Sequence, residues 1–193
     1  VPAQAAPRPD SIEIAGVAFL AANDDVARLF PVASAIQQLA GDGLNAALIG
    51  ALLKAKLPVR TGGTARAGIA LAFAFDDEYR VVESQSGGFK VVTVISGQLL
   101  TIDFRDQSVQ SAMPVSYDYI DFLPAAPDGS YAATVARAVL PAFLNDGPGG
   151  VFSEAAEVFR ALPPAGVARC RVRVGTVAYD TGTISATAER FRG

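Results

Sequence analysis

The chain has 193 residues and a net charge of −3, with 51% of its residues apolar and 18% charged. That balance excludes disorder over most of the length and allows one large core; the missing basic excess excludes a general nucleic-acid binder. Histidine is absent and Cys170 is the one cysteine. Their scarcity removes Ser–His–Asp and Cys–His catalysis, imidazole or cysteine-rich zinc sites, paired-thiol redox chemistry and an intrachain disulfide.

Val1 to Asp10 is rich in proline and alanine and reads as a flexible lead, with a single α+β domain over 11–193. Such a lead follows a removed signal peptide, and a trimmed boundary looks the same. The expectation drawn from it is a periplasmic or otherwise exported bacterial protein. Arginine outnumbers lysine 13 to 3 and alanine is frequent, the mark of a high-GC bacterial genome. No apolar stretch reaches the length that spans a membrane.

Ile12 to Ala21 is apolar and β-branched at its start, as in a buried strand. Asn23, Asp24 and Asp25 supply helix-start oxygens, and Pro31 suits a first helical turn. Val32, Ile36, Leu39, Leu44, Leu48 and Leu52 recur at helical spacing, so the pattern predicts one long amphipathic helix through Lys56, kinked near Gly41 and Gly43. Pro58 ends it, and 61–66 reads as a loop.

Ile69, Leu71, Phe73 and Phe75 alternate with Ala70, Ala72 and Ala74. A strand with no polar face is a central one, and its alanine side leaves room for a helix to sit close. Asp76 and Asp77 read as turn residues whose side chains point apart. Further strands are expected over 79–83, 89–96 and 98–104, then from Ser108 to about Asp121, with Pro114 marking an edge or a bulge. Ser130 can cap a helix through Leu140, and a second short helix fits 153–162.

The last segment alternates Cys170, Val172 and Val174 with Arg169, Arg171 and Arg173. Asp180-Thr181-Gly182 fits a three-residue hairpin loop that pairs Arg173 with Glu189 in one register. The whole order reads as α+β: a mainly antiparallel sheet with one long and two shorter helices on one face, and a closing C-terminal hairpin. As an arrangement of elements this is similar to the small sheet-plus-helix domains of the TolB amino-terminal and CsgG-like envelope families, without a diagnostic motif of either.

The glycine-rich segments lack the phosphate-binding patterns: 41–46 carries two glycines of a dinucleotide fingerprint but follows no strand, and 61–66 lacks the Gly-Lys-Ser/Thr ending. No catalytic, cofactor-binding or metal site is assigned, and the protein is read as not an enzyme. Asp118 and Asp121 are the best remaining carboxylate pair, yet their spacing on a strand divides them between two faces. The stripe Arg169, Arg171 and Arg173 is the candidate contact for an anion or an acidic partner; an ordinary solvated charged face would look alike. The expected function is a non-catalytic envelope interaction or assembly module binding another protein. A carrier or sensor of an apolar small molecule such as a lipid is the alternative, and a carboxylate-dependent hydrolase comes last.

Overall fold

In the computed structural model the described residues are 12–61, 68–104 and 108–161. The hairpin expected near the C-terminus lies outside them, as do Arg169, Arg171 and Arg173. One layer is a five-stranded mixed sheet in the order β2-β1-β3-β4-β5. β1 (Ile12–Phe19) runs parallel to β2 (Val59–Arg60) and to β3 (Ile69–Gln85). Between β1 and β2 the chain forms α1 (Val26–Leu29), α2 (Pro31–Ala40) and α3 (Gly43–Lys54). β3, β4 (Gly88–Asp103) and β5 (Ser108–Leu123) form an antiparallel meander, followed by α4 (Tyr131–Leu144) and α5 (Val151–Ala161). The class is α+β.

The three longest strands pair antiparallel, and the sheet is mixed because β1 is parallel to both of its neighbours. A helical connection returns the chain to the end it started from, as a parallel pair requires. The single long helix is also two. Gly41 has φ 52° and ψ −127°, a conformation that side chains disfavour, and the helical ladder stops there before restarting at Gly43. The strands, by contrast, are fewer and longer than the pattern suggested. β3 runs unbroken for 17 residues, and β4 and β5 for 16 each. β3 absorbs Asp76 as an unpaired bulge residue between the pairs Phe75–Gly97 and Asp77–Ser96.

The core lies on one side of this sheet. Leu71, Phe73 and Phe75 of β3, with Ile95 and Leu99 of β4, pack against α2 to α5. Within the sheet Phe75 stacks on Phe19 of β1 at 5.1 Å, and between the layers Phe73 meets Phe152 of α5 edge-on at 5.1 Å. Phe143 of α4 lies 6.0 Å from Phe75. The alanine side of β3 therefore faces away from the described helices, contrary to the sequence expectation. Ala70, Ala72 and Ala74 are buried on that second, outer face of the sheet.

Candidate functional site

Strand alternation fixes what each face of the meander carries. On the helix side, Glu78 reaches the start of α2, where its carboxylate accepts the Val32 N–H at 2.8 Å and the Ala33 N–H at 2.9 Å. It thus caps a helix whose own preceding residue, Phe30, has no capping side chain. Burial pushes the Glu78 carboxyl above its ordinary value; the two N–H donors and Arg80 pull the other way. Arg80, one step further, lies over the Tyr131 ring of α4, 5.4 Å from its centroid. Burial, and secondarily the Asp121 charge, lift the Tyr131 phenol. These groups fasten helices to the sheet.

The outer face is different in kind. The register places Asp77, Ser96 and Ser116 in one row across β3, β4 and β5, then Tyr79, Val94 and Asp118, then Val81, Val92 and Ile120, and finally Glu83, Lys90 and Phe122. No described helix packs on these rows. Tyr79 is 49% exposed, Val81 44%, Ile120 54% and Phe122 68%. Together they make a patch on the order of 400 Å², comparable with the largest on ordinary monomers and of a size that is often functional. β strands of this length outrun the helices: 17 residues of strand span about 55 Å, whereas the 14 residues of α4 span about 21 Å.

The bulge borders this patch. In a regular strand Asp76 and Asp77 would point to opposite faces; the extra residue lets both line one open depression of about 500 Å³. Ser96, Gly97, Pro114, Val115 and Ser116 complete its wall. Asp76 accepts the Gln98 side-chain N–H through Oδ2, while its Oδ1 is buried without a hydrogen-bond donor. The reading of Asp76 and Asp77 as a turn with diverging side chains is thereby corrected. Gly97 is required here, since a Cβ would lie 2.5 Å from the Phe73 ring and 2.8 Å from the Ala74 carbonyl oxygen.

Asp118 and Asp121 are not brought together. Asp118 stands opposite Val94 on the outer face, and Asp121 opposite the buried Val91 on the helix side. Among the described residues no group of three His, Cys, Asp or Glu side chains is placed to hold a metal, and no helix is long and apolar enough to cross a membrane. Sequence reasoning missed the exposed patch because Tyr79, Val81, Ile120 and Phe122 look like ordinary strand residues. The signal that could have found it is their shared parity once the strands are aligned.

No family model and no curated protein matches the chain. Among solved structures, the chain is similar to a PelC dodecamer from Paraburkholderia phytofirmans, with 17% identity, a TM-score of 0.33, and coverage of 73% of this chain and 93% of that one. It is also similar to the uncharacterized lipoprotein B from Nitrosomonas europaea, with 10% identity, a TM-score of 0.29, and coverage of 81% and 86% respectively. At these TM-scores neither likeness bears on function.

Proposed function

We propose that the protein is a non-catalytic interaction or assembly module that binds another protein through the outer face of its meander. The observation that carries this reading is the exposed apolar patch of Tyr79, Val81, Ile120 and Phe122 on a face that no described helix covers. An exported, bacterial-envelope setting is part of the same proposal. A hydrolase is less well supported, because the best carboxylate pair is divided between two faces. A carrier of an apolar small molecule is also less well supported: aromatic rings fill the space between helices and sheet where such a ligand would lie.

The double variant Ile120→Ser/Phe122→Ser tests the reading. Both side chains are exposed, so the melting transition should stay close to that of the parent protein, within about 0.5 kcal/mol. Co-purification of the partner from the native host should be lost. Unchanged co-purification by the variant would contradict the proposal.

A further inference from the structure

Resting on that proposed function, we infer that the partner presents a cationic amphipathic segment, with Arg or Lys beside apolar side chains, to the depression at the β3 bulge and the patch next to it. The charges of this face are one-sided. Asp76, Asp77 and Asp118 surround its upper rows, and none has a cationic partner among the described residues. The one lysine of the rows, Lys90, is engaged with Glu83 at 3.5 Å. Arg80, the nearest arginine in β3, is turned to the helix side over Tyr131.

Hydrogen bonding does not relieve this charge. Among the described residues Asp76 receives one donor, from Gln98, and Asp118 one, the Ser116 hydroxyl at 3.2 Å. The buried Oδ1 of Asp76 has none, so its field adds to the negative potential of the depression. Among the described residues these acids do not form a group of three placed to hold a metal ion. Separated carboxylates beside an apolar floor suit separated cations on a chain that also carries apolar groups. Four rows at two residues per step extend about 20 Å, the length of an extended segment of six or seven residues.

The test uses the full chain, labelled with ¹⁵N and titrated with three capped hexapeptides that alternate valine with arginine, glutamate or serine. The arginine peptide should give saturable shifts at Ser96, Gly97, Ser116 and Ile120, and the glutamate and serine peptides should not. Asp77→Asn/Asp118→Asn should weaken its binding roughly tenfold. Asp24→Asn/Asp42→Asn, which removes the same charge from exposed positions elsewhere, should leave binding unchanged.

Equal binding of the serine peptide would overturn the cationic partner while leaving the interaction module standing. Equal weakening by the two double variants would reduce the effect to net charge and overturn the site. Resonance broadening at the same residues that grows with protein concentration, without peptide, would assign the face to a second copy of the chain. Absence of binding by all three peptides, with co-purification unaffected by Ile120→Ser/Phe122→Ser, would remove both readings.

Discussion

Glu78 shows how one residue can serve an element remote from it in sequence. Its carboxylate supplies the acceptor that the first turn of α2 lacks locally, so Glu78→Ala should lower stability by about 1–2 kcal/mol in chemical denaturation. The pH dependence has a definite sign. The native carboxyl holds its proton more tightly than the unfolded chain, because burial raises it from the ordinary value of 4.5. Its stabilising contribution is therefore fully present below 4.5 and is lost as pH rises through the elevated native value. Glu78→Gln, which cannot ionise, removes this dependence. The stability difference between parent and Glu78→Gln should shift toward the parent as pH falls from neutrality to that range, and a constant difference would refute the buried, charge-penalised carboxylate. Neither the cap nor the acidic depression was legible from single positions. Glu78 looks like any polar residue before a strand, and Asp76-Asp77 looks like a turn until the pairing reveals one residue too many on β3.

At the scale of elements, the sequence pattern was informative wherever periodicity reports burial. The alternation through 69–75 marked a strand buried on both sides, and Leu71, Ala72, Phe73 and Ala74 are all buried. Leucine spacing likewise marked the helices before β2, but it could not distinguish a kinked helix from two helices. That choice depends on the backbone of Gly41, which has φ 52°. Strand continuity was hidden for a related reason: the polar run Asp76 to Glu78 has the composition of a turn and the geometry of a bulge. The parallel placement of β1 depends on a long-range pairing that local pattern does not encode. Gly97 is where the bulge, the core and the depression meet. Gly97→Ala forces a methyl group against the Phe73 ring and the Ala74 carbonyl, and should cost about 1–3 kcal/mol in urea unfolding. A loss below 0.5 kcal/mol would show that β3 and β4 yield at this point.

The described residues form two layers of unequal reach. Helices cover one face of the sheet, and the meander carries its outer face past them with apolar side chains in the open. Covering that surface with a partner would remove it from water, a gain roughly proportional to the apolar area buried. The register divides Asp118 and Asp121 between the two faces of β5, so these two carboxylates do not flank one bond. The most direct measurement is photo-cross-linking in the native host, with a benzophenone side chain placed either at Phe122 on the outer face or at Leu53, an exposed leucine of α3. A docking surface on the outer face predicts a discrete adduct with one partner protein from position 122 and none from position 53. Adducts of equal yield from both positions, or none from position 122, would contradict it.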